Sequence, residues 1–211
     1  GSSEQQQVFQ RALTLCPRLA DAHYNLGLNL LKQNRVDDAI ASFNRALDLE
    51  EDPLFMRGLA RAELQKGDLD SAEKQYRKVL VIGSDSAAAY QGLAAVAERR
   101  GEMSAALDAL RQAIQLNPRD GTSFYNLGVL LERSGRIEEA AESYKTATER
   151  NESSAEAFLA LGTALLRMGK LEGAESALRR ALLLAPENPA TLVGAALVGI
   201  NLGRVSVITF G

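Results

Sequence analysis

Arg57 and Arg61 stand four residues apart, one turn of a helix, so a helix running through them aims both guanidinium groups the same way. Arginine suits a carboxylate because its planar fork donates two parallel hydrogen bonds, each charge-assisted bond contributing roughly 1.5–3 kcal/mol. Reaction chemistry finds less support. His23 is the single histidine, leaving no second imidazole for a histidine metal site or an acid–base pair. It falls at a periodic, core-facing position and reads as a packed side chain. Cys16, the only cysteine, lies at a helix end beside Pro17 without a partner base, and reads as a small apolar filler rather than a nucleophile. Glu138 and Glu139, like the run Glu50, Glu51, Asp52, lie near helix starts or in loops, where acids are solvated or favoured by the helix dipole. The glycines are spaced for turns and not for a phosphate-cradling loop. The chain is expected to be a non-enzyme, with no cofactor and no metal.

The totals point to a folded, water-facing scaffold. Of 211 residues, 46% are hydrophobic, enough for a substantial core, and no Pro-rich or Ser/Gly-rich linker divides them. The net charge of −3 comes from well-mixed acids and bases. A basic stripe with interleaved aromatics is lacking, so no nucleic-acid partner is expected. One cysteine forms no internal disulfide and fits a reducing, cytoplasmic setting. Gly1-Ser2 reads as a cloning remnant, and the N-terminus has no charged-then-apolar signal pattern. The longest apolar stretch, around Leu192–Ile200, is far short of the roughly 20 residues that span a bilayer.

The elements that must position the arginines are written in a repeat. Ala20–Ser42 reads "ADAHYNLGLNLLKQNRVDDAIAS" and Gly121–Ser143 reads "GTSFYNLGVLLERSGRIEEAAES". Matching alanines stand at Ala39, Ala72, Ala106, Ala140 and Ala174, separated by 33, 34, 34 and 34 residues. Five residues before each lies a turn residue: Asn34, Gly67, Gly101, Gly135 and Gly169, with Gly203 continuing the series. Gly and Asn tolerate the left-handed conformation at a helix end, so each unit is helix, tight turn, helix. Phe124, Leu127, Gly128 and Leu131 share one helical face; Ile137, Ala140, Tyr144 and Ala147 share the next. Small residues recur where paired helices approach, at Gly27, Ala60, Ala94, Gly128 and Gly162 on first helices and at the five alanines on second helices. Pro17, Pro118 and Pro186 fall between units.

This pattern resembles the tetratricopeptide repeat family. It is carried by Leu26-Gly27, Leu30, Ala39, Phe43 and Ala46, and again by Leu127-Gly128, Leu131, Ala140, Tyr144 and Ala147. The large aromatic that the family places early in the first helix is here His23, Met56, Tyr90, Phe124 and Phe158. The resemblance implies an all-α solenoid, a right-handed superhelix of stacked antiparallel helix pairs. A single array is expected over 4–203, with a partial unit at 4–19, full copies at 20–52, 53–86, 87–120, 121–154 and 155–188, and a partial unit at 189–203. Residues 4–16 match only a second helix, with Phe9 and Ala12 in core places. Residues 189–203 match only a first helix, and the strand-prone tail 204–211 follows. Neither end carries the polar cap of a finished solenoid, so the chain is expected to be part of a longer array or to self-associate.

The resemblance also implies where a partner would sit. First helices line the concave face, with the second, fifth, sixth, ninth, twelfth and thirteenth places of each unit forming a groove for a protein or peptide segment. In copy one these include Tyr24, Asn25, Leu28 and Lys32; in copy two, Arg57 and Arg61; in copy three, Gln91 and Arg99. Copy four supplies Tyr125, Asn126, Val129 and Arg133, and copy five Leu159 and Arg167. The sixth-place asparagine ladder of some relatives is broken by Gly58, Gly92 and Ala160. Asn25, Arg57 and Arg61 match three of the five residues with which chaperone-binding relatives hold a terminal carboxylate. Glu98 and Glu132 stand ready to neutralise neighbouring arginines, and Asp21 to pair with one of the two in copy two. The leading expectation is a protein–protein interaction scaffold. The substrate-recruiting part of a larger enzyme, such as a group transferase, and a self-assembling scaffold are the alternatives.

Overall fold

The computed structural model describes residues 19–83 and 86–201. Cys16, the helix expected over 4–16, Gly203 and the tail 204–211 lie outside them. The described residues form eleven α-helices and no strand, and the chain divides into two compact units, Gly1–Leu116 and Asn117–Gly211.

In the first unit the helices are α1 (Ala20–Lys32), α2 (Val36–Leu49), α3 (Pro53–Lys66), α4 (Leu69–Ile82), α5 (Ser86–Arg100) and α6 (Met103–Leu116). In the second they are α7 (Gly121–Arg133), α8 (Ile137–Arg150), α9 (Ala155–Arg167), α10 (Leu171–Leu184) and α11 (Pro189–Asn201). Within each unit every helix packs on its neighbour in sequence: α1 to α6 form three stacked pairs, and α7 to α10 form two with α11 laid against α10.

Turn chemistry sets this order. Asn34, Gly67, Gly101, Gly135 and Gly169 all have positive φ, from 60° to 93°, the backbone state a β-carbon disfavours. Helix starts are marked by side-chain caps. Asp52 accepts from the Leu54 N–H at 2.6 Å ahead of Pro53, Asp120 accepts from Thr122 and Ser123 at 3.1 Å, and Ser154 accepts from Ala157 at 3.2 Å.

The five periodic alanines have no solvent exposure at all. Four residues beyond each comes a large buried side chain: Phe43, Tyr76, Leu110, Tyr144 and Leu178. Burying one such group stabilises by about 1.5–3 kcal/mol. Phe43 and Tyr76 also press on the next pair. A β-carbon added at Gly92 of α5 would stand 2.2 Å from the Tyr76 ring, and one at Gly58 of α3 would stand 2.8 Å from Phe43. That explains two of the interruptions in the asparagine ladder, Gly58 and Gly92. Gly194 of α11 is confined in the same way, a β-carbon there standing 2.8 Å from Leu178.

Charged residues repeat as well. Lys66 of α3 meets Asp37 of α2 at 2.8 Å, and Arg100, one copy later, meets Asp70 and Glu73 of α4 at 2.5 Å. The Lys66–Asp37 pair is exposed, so water screens it and it adds little to stability. His23 is half-buried.

Candidate functional site

First helices carry the expected groove residues. In the first unit, Tyr24 is half-buried with its ring 5.7 Å from Phe43 and 5.2 Å from Phe55, so it serves the core as well as the surface. Leu28 packs partly against the same cluster, while Asn25 and Lys32 are exposed. Arg57 and Arg61 of α3 converge electrostatically on Tyr76. Burial pushes the Tyr76 hydroxyl up to about 12, and the positive charges of Arg61 and Arg57 act against that rise. On α5, Gln91 is half-buried and Arg99 exposed, with the Arg99 guanidinium reaching toward the Gly67 turn. Lys32, Arg57, Arg61 and Arg99 give these helices a cationic character.

In the second unit the corresponding helices wall a cleft of about 970 Å³. Tyr125, Val129 and Arg133 of α7 line it, with Leu159 and Arg167 of α9 and Val193 of α11. Asn126 is half-buried and is not among the lining residues. At the centre is a closed polar network. The Tyr144 hydroxyl donates to Glu132 Oε2 at 2.8 Å, and Arg167 Nη1 donates to Glu132 Oε1 at 2.7 Å. Burial, then the bond to Glu132, holds the Tyr144 hydroxyl far above the usual phenol range. Its ring lies 5.8 Å from that of Tyr125. The neutralising role expected of Glu132 is thus realised toward Arg167.

Sequence reading placed Tyr144 in the core alone and left out Val193 and Glu132 as site residues. One signal was available: Glu132 stands at the twelfth place, where Leu31, Leu64 and Leu166 stand in other copies. Glu63 is a similar intruder. It occupies the place of Leu30, Leu131 and Leu165, is buried in α3, and leaves Oε2 without a hydrogen bond. Burial first, then the nearby charge of Asp68, raises its carboxyl to about 7 against the opposing Lys78 and Lys74. Among the described residues no cluster is built to hold a metal ion, and no helix is long and apolar enough to cross a membrane.

The family model for the tetratricopeptide repeat matches the chain six times in overlapping spans: 6–54, 24–89, 57–124, 92–155, 125–191 and 159–206. The chain belongs to the tetratricopeptide repeat family. Solved structures agree on its fold. The Cut9–Hcn1 hetero-tetramer of the APC/C matches at 17% identity and a TM-score of 0.75, over 93% of this tetratricopeptide repeat chain but only 39% of that one. YrrB, a repeat protein of the same family with an unusual peptide-binding site, matches at 23% identity and 0.58, over 89% of this chain and 97% of its own. TTC0263, a thermophilic repeat protein of Thermus thermophilus, matches at 25% identity and 0.69, over 86% and 100%. No curated protein matches this tetratricopeptide repeat chain. Its family is one whose members mediate protein–protein interactions.

Proposed function

We propose that the protein is a non-catalytic scaffold whose first helices hold a segment of a partner protein. The observation that carries this reading is the cleft of about 970 Å³ in the second unit, lined by five residues that the repeat places on the groove: Tyr125, Val129, Arg133, Leu159 and Arg167. Apolar surface edged by charge marks a partner site. Two further facts support it. YrrB, alike in fold, has a peptide-binding site, and the lone histidine and lone cysteine leave few groups for catalysis. A cytoplasmic setting accords with that single cysteine.

The test is affinity capture with the full chain, followed by mapping of captured partners to short peptides and fluorescence anisotropy. Leu159→Asp should weaken a peptide bound in the second unit about tenfold or more, as loss of a central apolar contact does. Retention of every partner by Leu159→Asp and by Arg57→Ala/Arg61→Ala would remove the groove from consideration and leave only the outer helices as docking faces.

A further inference from the structure

We infer that the cleft of the second unit receives an α-helix of its partner, presented through an uncharged apolar face, and not an extended or acidic segment. This rests on the reading that the groove holds a partner segment at all.

An extended peptide brings a row of backbone N–H and C=O groups into any groove it enters, and each must find a partner there. A groove for such a segment therefore offers uncommitted donors and acceptors. Most polar groups in the walls of this cleft already have partners, in the walls or on their own helix. Tyr144 gives its only proton to Glu132, and Glu132 takes Arg167 on its other oxygen. The Thr163 hydroxyl turns back onto its own helix, 2.9 Å from the carbonyls of both Leu159 and Ala160. Glu156 accepts from the Ser154 hydroxyl at 3.3 Å. At the sixth place the lining holds Ala160 and Gly194, which offer no side-chain donor or acceptor. A helix makes no such demand, because its backbone groups are already paired within it.

Charge points the same way. The charged residues lining the cleft are Glu132, Arg133, Glu156 and Arg167, two acids and two cations. The surface that complements them carries no net charge. Beside these charges the cleft presents apolar side chains, Val129, Leu159, Leu166 and Val193, with Val193 60% exposed. Helices dock in grooves of this kind through side chains at i, i+3, i+4 and i+7.

Three labelled peptides decide the matter by anisotropy with the full chain. One is amphipathic with leucines at i, i+3, i+4 and i+7; one carries a proline inside that apolar stripe; one is extended and rich in glutamate. The first should bind with little dependence on salt and gain helicity by circular dichroism. Proline should weaken it by a factor of about ten or more. Val193→Asp, at an exposed site, and Leu159→Ala should each weaken it about tenfold, with circular dichroism of the free variants checking their fold. If the glutamate-rich or proline-bearing peptide binds as well as the first and Val193→Asp weakens it, the inference is overturned while the groove reading stands. If none of the three binds, both fail. Sedimentation covers the remaining occupant: a dimer of the wild-type chain that Val193→Asp dissolves makes a second copy the resident of the cleft, and overturns the inference.

Discussion

Two regions of the molecule use the same repeat and offer opposite chemistry. In the second copy a buried tyrosine, Tyr76, feels Arg57 and Arg61 at the fifth and ninth places, and the twelfth place is Leu64. In the fourth copy a buried tyrosine, Tyr144, donates to Glu132 at the twelfth place, and the fifth and ninth are Tyr125 and Val129. Three substitutions on one backbone turn a cationic face into a closed, neutral one. The difference teaches that the helices fix where groups stand, and a handful of surface places decide what a partner must bring.

The largest expected effect breaks the packing beneath the comparison. Gly92 and Asn126 hold the same place in successive copies, yet a β-carbon at 92 would stand 2.2 Å from Tyr76. Gly92→Asn should cost about 3 kcal/mol, the upper end for overpacking in a close-fitted core. The mirror change, Asn126→Gly, should cost under about 1 kcal/mol, the helix penalty of glycine. Urea melts of both variants measure this, and equal losses would show that Tyr76 has room to move aside.

Next comes Glu63. Its carboxyl is raised from 4.5 to about 7 in the fold, so the folded state holds the proton more tightly than the unfolded chain. Stability from this group is therefore full below about pH 4.5, is lost as pH rises toward 7, and is level above that. The shift corresponds to about 3 kcal/mol at most. Lys74 and Lys78 ease the charged form while Asp68 opposes it. Glu63→Leu, which restores the residue found at 30, 131 and 165, should raise the melting temperature at pH 7.5 and flatten its dependence between pH 5 and 7.5. Parallel pH profiles for variant and wild type would sink this account.

Much of the scaffold was legible because its determinants are local and periodic. The positive φ at Asn34, Gly67, Gly101, Gly135 and Gly169 follows from residue type, and the buried alanines follow from spacing. Site chemistry was less legible, because it depends on contacts across helices. Nothing in the run "GVLLERSG" says that Glu132 will reach both Tyr144 and Arg167, residues 12 and 35 positions on. The sequence likewise shows that Gly58 and Gly92 interrupt the asparagine ladder but not why: Phe43 and Tyr76 occupy the space a side chain needs.

Glu132→Ala sharpens the comparison by pushing the second unit toward the first. It leaves the buried Tyr144 hydroxyl without its acceptor, which costs about 1–3 kcal/mol, and it frees Arg167. The cleft then carries an excess of positive charge, and glutamate-rich peptides should gain affinity that falls with added salt. Melting curves read the first effect and anisotropy at two salt concentrations reads the second. Unchanged selectivity would mean that Arg167 finds another acid.

The smallest effect belongs to the arginines from which the chemistry began. If the first unit selects acids, a peptide with a free C-terminal carboxylate should bind it better than its amidated twin. Arg61 is exposed and Arg57 half-buried, so each contact is worth less than a buried charge-assisted bond, about 0.2–1 kcal/mol, a factor of roughly 1.4 to 5 in affinity. Arg57→Ala and Arg61→Ala should each lower the affinity of the free-acid peptide by such a factor and leave the amidated one unchanged. The double variant should bring the two peptides together. Tyr76→Phe removes only the hydroxyl whose ionisation the charges of both arginines ease, and should alter the free-acid advantage without abolishing it. Equal affinity of the two peptides in the wild-type chain would place the arginines among ordinary solvated surface, and the two faces would then differ in charge without differing in what they choose.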